Sequence, residues 1–125
     1  MIRILKSYFE FSDKRGKFSG LINKGRWEEI NIITSKKGSV RGNHYHRRIR
    51  EIFIILEGEI DVVVEKVLKN GKLSGKIEKY RFKKGDVFLI DKYINHIFYV
   101  KKNAKWLNVL SHRITKNKID IWRVK

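Results

Sequence analysis

Three of the four histidines fall in two short segments, Gly38-Ser-Val-Arg41-Gly-Asn-His44-Tyr-His46 and Asp91-Lys-Tyr93-Ile-Asn-His96. On a β-strand His44 and His46 project to the same face, about 7 Å apart along the backbone, a spacing that lets two imidazoles converge on one metal ion. Glu51 opens the next strand. If the chain turns at Arg47 to Arg50, its carboxylate reaches that face, and a later strand carrying His96 closes a set of three histidines and one carboxylate. Such a set leaves one or two coordination positions open, as a catalytic metal needs. Nitrogen and oxygen donors suit zinc, iron, nickel and manganese in turn, so one divalent ion is expected without its identity being fixed. The chain has no Cys, which excludes thiolate nucleophiles, disulfides and Cys-type zinc sites. His112 lies outside both segments and reads as surface or structural, and Glu57 and Glu59 flank a turn and read as solvated charges.

Short segments dense in Ile, Val, Phe and Tyr must position these side chains, since no long stretch carries a 3.6-residue apolar stripe. Strands are expected at Ile2–Phe11, Phe18–Ile22, Trp27–Ser35, Ser39–His46, Glu51–Glu57, Glu59–Leu68, Lys76–Phe82, Val87–Ile90, His96–Val100 and Lys105–Ser111. Asn70-Gly71 is a hairpin signal, because both residues tolerate the positive φ of tight turns. About ten strands at this spacing suggest a sandwich or jelly-roll barrel. The tail Thr115–Lys125, with Ile119, Ile121 and Val124, is expected either as an edge strand or as a segment exchanged with a second subunit.

The 125 residues imply one domain over 1–125 with a single core. The longest apolar run, Ile52–Leu56, is too short to span a membrane, and the first residues lack the apolar stretch of a secretory signal. A cytoplasmic protein with no membrane segment is expected. With 30 Lys and Arg against 13 Asp and Glu the net charge is +17, a field that attracts anions such as nucleotides and sugar phosphates. Nucleic acid is not the expected partner, because the charge comes without interleaved aromatic residues of the RNP kind.

Gly38, His44, His46, Glu51 and Gly58 match the first motif of the cupin superfamily at every fixed position, and Gly85 and His96 stand at the spacing of the second. In that second motif Asp91 replaces the usual Pro, Tyr93 the usual Gly and Val100 the usual Asn. The chain resembles a cupin over residues 38–100, which implies a jelly-roll β-barrel and metal ligation by His44, His46, Glu51 and His96. Two further strings, Asp13-Lys-Arg15-Gly-Lys-Phe18 and Ser35-Lys-Lys-Gly38-Ser-Val-Arg41-Gly-Asn-His44, are similar to those of dTDP-4-dehydrorhamnose 3,5-epimerases and dTDP-sugar 3,4-ketoisomerases. Arg41 to His46 with Glu51 is also similar to the C-terminal cupin domain of capsular-polysaccharide UDP-sugar reductase/epimerases.

The resemblance implies an isomerase or epimerase acting next to the ketone of a nucleotide-activated sugar in cell-surface polysaccharide synthesis. Such chemistry needs a base, a group that holds the enolate and an acid. His44 or His46 is the candidate base. In the metal-free epimerases the first His after Arg-Gly takes that role, which falls on His44 and competes with ligation. Arg15 and Arg41 would pair with the diphosphate. Tyr93 and Tyr99 are the candidate proton donors, because alternation turns Tyr45 away from His44 and His46. Trp27, Trp106 and Trp122 read as core or dimer contacts, and a homodimer is expected. The rival readings are a phosphosugar isomerase, a dioxygenase, and a sugar- or metal-binding cupin without turnover.

Overall fold

The computed structural model describes residues 1–125 as an all-β jelly roll. Its strands are β1 (Ile2–Ile4), β2 (Phe9–Asp13), β3 (Gly16–Gly20), β4 (Glu29–Ser35), β5 (Val40–His44), β6 (Glu51–Val67), β7 (Leu73–Lys83), β8 (Val87–Ile90) and β9 (Ile94–Leu110). No helix is long and apolar enough to cross a membrane. Strands β6 and β9 are antiparallel partners along almost their whole lengths. The first half of β6 and the last half of β9 lie in one face in the order β1-β8-β6-β9-β4, and their other halves carry β7 and β5. The two faces close on a core that includes Phe53, Ile55, Val62, Phe88, Phe98 and Trp106. A second cluster, Ile52, Val87, Leu89 and Val109, covers the outside of the first face under Leu5, Leu21, Ile22 and Trp27.

Nine strands form where ten are expected, and the differences have physical causes. The two segments split at Gly58 are one 17-residue strand, as are the two split at Lys101–Asn103. Both interruptions are polar because they lie at the bend between the faces, where the register shifts at Ile55, Glu57 and Glu59 but pairing continues. The polar gap reads like a turn and is a bulge. The leading segment divides instead, because Ile2–Ile4 joins β8 while Phe9–Asp13 pairs with β3 in a separate two-stranded sheet. The Asn70-Gly71 hairpin joins β6 to β7, with Asn70 Oδ1 accepting the Lys72 N–H at 2.9 Å. The tail makes no long edge strand. It folds back over its own barrel, and its Trp122 exchanges both backbone hydrogen bonds with Tyr45 at 3.0 Å.

Gly58 holds the bend at φ +87, and a Cβ there would sit 2.6 Å from the Ala104 Cα and closer still to the Asn103 carbonyl oxygen. Neither backbone can withdraw without unpairing β6 from β9. Gly58→Ala should therefore destabilise the protein by at least about 2 kcal/mol, read as a lower denaturation midpoint with an unchanged slope. A midpoint equal to that of the unsubstituted chain would contradict this account of the bend.

Candidate metal centre

His44 ends β5 and stands directly opposite His96 in the register with β9. A bulge precedes it: Gly42 and Asn43 both take positive φ, at 87° and 61°, so Arg41 and His44, three residues apart, share the inward face. Gly42 is required there for a second reason, since a Cβ would approach the His96 carbonyl oxygen to 2.6 Å. His46 follows just beyond the strand, and Glu51 opens β6. The structure thus brings all four expected residues together, with their donor atoms within 4.8 Å of one another. The imidazole centroids of His44 lie 5.1 Å from His46 and 4.8 Å from His96.

The surroundings orient each group. His96 Nδ1 faces the Ile94 carbonyl at 3.1 Å and His46 Nδ1 donates to the Asp120 carbonyl at 2.6 Å, which leaves both Nε2 atoms free. Asn108 donates to Glu51 Oε2 at 2.8 Å, and Asn108 Oδ1 in turn accepts from Asn31 at 3.0 Å. Glu51 Oε1 is left to the cluster, where it lies against His46 Nε2. That nitrogen is buried and makes no well-directed hydrogen bond. A buried imidazole nitrogen and a buried carboxylate oxygen converging with two further imidazoles suit joint ligation of one cation, and partners on the far side of ring and carboxylate are the usual support of such ligands. The residues therefore suit a divalent ion.

Charge follows the same geometry. Burial pushes the His44 pKa down to about 4, helped by repulsion from His96 and His46. Burial also lowers that of His96. For His46 burial again opposes the charge, but the Glu51 carboxylate and the Asp120 carbonyl outweigh it and hold the pKa above the ordinary range. Burial of Glu51 favours its neutral form, yet the close contact with His46 and the neighbouring imidazoles keep its pKa below the usual value.

The cluster stands in a cavity of about 230 Å³ whose walls include Ile33, Phe53, Phe98, Trp106, Ile119 and Ile121. Arg41 lines it, tied to Ser35 Oγ at 2.5 Å and the Thr34 carbonyl at 2.9 Å. The other sequence candidates are not brought there. Arg15 is exposed at the turn between β2 and β3, paired with Asp13 at 2.7 Å. Tyr99 projects from the outer face of β9, because alternation from His96 and Phe98 turns it away. Tyr93 packs its ring 5.9 Å from that of Tyr45 and does not line the cavity. Its φ of 59° places it in the left-handed region, which explains why a Gly is usual at that position. His112 is held by Ser111 at 2.9 Å, and Glu59 pairs with Arg81 and Lys102 on the surface. Trp106 is a core residue as expected and also a cavity wall. Asn108 and Asp120 were missed by sequence reasoning, having no motif to mark them; an isolated acid in a basic tail was the one signal for Asp120.

The profile of the polysaccharide biosynthesis C-terminal domain matches residues 11–105. Among solved structures, a TDP-quinovose 3,4-ketoisomerase from Campylobacter jejuni superposes with a TM-score of 0.80 at 19% identity, covering 98% of this chain and 92% of that one. A sugar 3,4-ketoisomerase from Thermoanaerobacterium thermosaccharolyticum in complex with TDP gives 0.74 at 16% identity, covering 98% and 87%. A dTDP-4-dehydrorhamnose 3,5-epimerase from Sulfolobus tokodaii gives 0.74 at 25%, covering 93% and 73%. These likenesses establish the jelly-roll fold. Among curated proteins, a vicilin-like seed storage protein of Arabidopsis thaliana is 35% identical over 72 residues, 56% of this chain and 10% of that protein's length. The chain thus spans about a tenth of that relative.

For the protein held in chelator the pKa directions predict a stability maximum. As pH falls below about 6.5 the unfolded chain protonates its histidines, while folded His44 and His96 resist, so stability drops towards pH 4. Above about 6.5 only folded His46 retains an extra proton, and its contribution is lost as pH rises through its elevated pKa. Denaturant titrations from acid to alkaline pH should peak near neutrality, and His44→Asn should flatten the acid limb. An acid limb as steep in His44→Asn as in the parent would refute the assignment.

Proposed function

Because the chain belongs to the polysaccharide biosynthesis C-terminal domain family, we propose that it is a sugar-nucleotide isomerase that moves a ketone between neighbouring ring carbons. The observation that carries this reading is His44, a neutral imidazole with no hydrogen-bond partner in the protein, standing in a largely apolar cavity beside Arg41. A base must be unprotonated at working pH, and burial keeps His44 so. No tyrosine lines the cavity. The other acid there, Asp120, has both carboxylate oxygens occupied by donors. Epimerisation needs a second acid on the opposite face of the sugar, whereas ketone migration is served by one base on one face. In that reaction His44 takes the proton from the hydroxyl-bearing carbon and returns it to the former carbonyl carbon. The hydroxyl proton passes to the other oxygen, so no oxidant or reductant is consumed.

His46, Glu51 and His96 would hold a divalent ion, with His44 within reach as a fourth donor. When bound, that ion would supply Lewis-acid polarisation of the ketone. A cavity of about 230 Å³ is smaller than the roughly 300–1,000 Å³ of sites that engulf a drug-sized ligand. It suits a sugar ring, with the nucleoside diphosphate outside near Arg41. The net charge of +17 would steer such an anion inward. The isomerase and binding activities of the resembling proteins support this substrate class: one is in complex with TDP. A cytoplasmic setting, where nucleotide sugars are made, is part of the proposal, as is a chain folding as one domain over 1–125.

The test is solvent deuterium exchange at the carbon next to the ketone of a dTDP-4-keto sugar, with metal content measured in parallel. Exchange should fall by about 10²–10⁴ in His44→Asn and persist in Tyr93→Phe and Tyr99→Phe. Near-stoichiometric metal should be lost in His46→Ala. Exchange that survives in His44→Asn, or vanishes in Tyr93→Phe, would overturn the assignment of the base.

The homodimer belongs to the same proposal. Strand β4 is a sheet edge with one side unpaired, and its Ile30 and Ile32 face outward, 67% and 63% exposed. An apolar edge of this kind invites a second strand, and a copy of β4 satisfies it with two-fold symmetry. Light scattering should give the mass of two chains, and Ile30→Lys with Ile32→Lys should give one.

A further inference from the structure

The C-terminal segment Thr115–Lys125 reaches back to the main chain beside each ligand of the amino-terminal pair. Arg123 Nη1 donates to the Gly42 and Asn43 carbonyls, at 2.9 and 2.8 Å, on the bulge that delivers His44. Trp122 pairs with Tyr45, the residue between the two histidines. The Arg47 guanidinium lies 3.6 Å over the Trp122 ring. Asp120 makes the most contacts. Its Oδ1 accepts the Arg47 N–H and the Trp122 indole N–H, both at 2.9 Å, and its Oδ2 accepts the N–H groups of Arg48 and Ile49 at 2.7 and 2.9 Å. Its main-chain carbonyl accepts a hydrogen bond from His46 Nδ1–H at 2.6 Å. One residue therefore holds the ring of His46 and the first three of the four backbone amides of the turn leading towards Glu51, the fourth, of Arg50, being held by Ser111 Oγ at 2.8 Å.

We propose that Asp120 is the positioning residue of the centre, and that the C-terminal segment acts as a strap whose docking sets how tightly the cluster binds a divalent cation. The inference rests on the reading of the cluster as a metal centre. Asp120 itself is neither ligand nor base, because four donors saturate its two carboxylate oxygens. Its action is to fix the separation of His46 and Glu51, which only four residues join, and to keep the His46 Nε2 lone pair turned inward. Without the strap, cation binding would have to order that turn and select the ring orientation, which lowers affinity. Ile119 and Ile121, flanking Asp120, wall the cavity, so the segment that orients the ligand also shields the site from water.

The experiment uses the full chain with Co(II), read by chelator competition and by its visible absorption, together with NMR of the His46 Nδ1 proton in the metal-free protein. Asp120→Asn and Asp120→Ala should weaken Co(II) binding by about 10–100-fold, alter the absorption bands and speed exchange of the Nδ1 proton. Arg81→Gln, on the surface away from the cluster where Arg81 pairs with Glu59 and Asp61, should bind Co(II) within about twofold of the parent, as expected of a position without a special role. Asp120→Asn preserves size and shape and serves where Asp120→Ala does not fold. Parental affinity, bands and proton exchange in a folded Asp120→Asn protein would overturn the proposal. Should the parent and His46→Ala both fail to bind Co(II), the metal reading falls. The Nδ1 proton then decides the positioning role alone, its unchanged exchange in the Asp120 variants counting against it.

Discussion

A carboxylate taken out of water loses several kcal/mol of solvation unless charge and hydrogen bonds replace it, and Glu51 is 6% exposed at the start of a core strand. Its compensation comes from every side of the barrel. His46 arrives from the end of β5, Asn108 from the last half of β9, and Asn31 supports Asn108 from β4. His96, from the other half of β9, adds a further imidazole. The elements that solvate Glu51 are also those whose mutual packing makes the jelly roll, so the polar centre and the apolar core specify the same arrangement.

The arrangement depends in turn on two strands long enough to belong to both faces. Because β6 and β9 bend together at Gly58 without losing their pairing, Glu51 and Asn108 sit in one face while His96 sits in the other, and the fold brings them to a common point. Shorter strands joined by flexible loops would leave that separation adjustable. A continuous ladder fixes it, and a centre whose donors must converge within a few tenths of an ångström needs that rigidity.

The cavity beside the centre is apolar on most of its wall and polar at one patch. In such a setting a neutral imidazole, an arginine and an acid already saturated by donors have distinct capacities: in the proposed reaction His44 would accept a proton and Arg41 would attract the anion, whereas Asp120 bonds the turn beside them. Burial depresses both His44 and His46, and the difference between them comes from the Glu51 carboxylate and the Asp120 carbonyl, which lie against His46 and outweigh its burial.

How much of this was legible in the sequence depended on how far along the chain each partner lies. Alternation along a strand is local, so the shared face of His44 and His46, the opposite face of Tyr45 and the hairpin at Asn70-Gly71 followed from the residues, and the spacing to Glu51 and His96 suggested one cluster. Strand ends were less legible, because Glu57–Glu59 and Lys101–Asn103 are polar in the manner of turns although they form a bend. The bulge at Gly42-Asn43, which turns Arg41 inward, left no pattern of its own. Tyr93 and Tyr99 looked suitable as proton donors by type and proximity to His96, but a left-handed backbone and strand alternation direct them elsewhere. Asn108 and Asp120 lay beyond sequence reasoning altogether, since their partners stand 57 and 71 to 74 residues away. Residue types and local periodicity determined which donors this protein owns and which face of each strand they take. Only the tertiary structure decided which distant side chains solvate, orient and enclose them, because those contacts exist only when the two faces have closed and the tail has folded back.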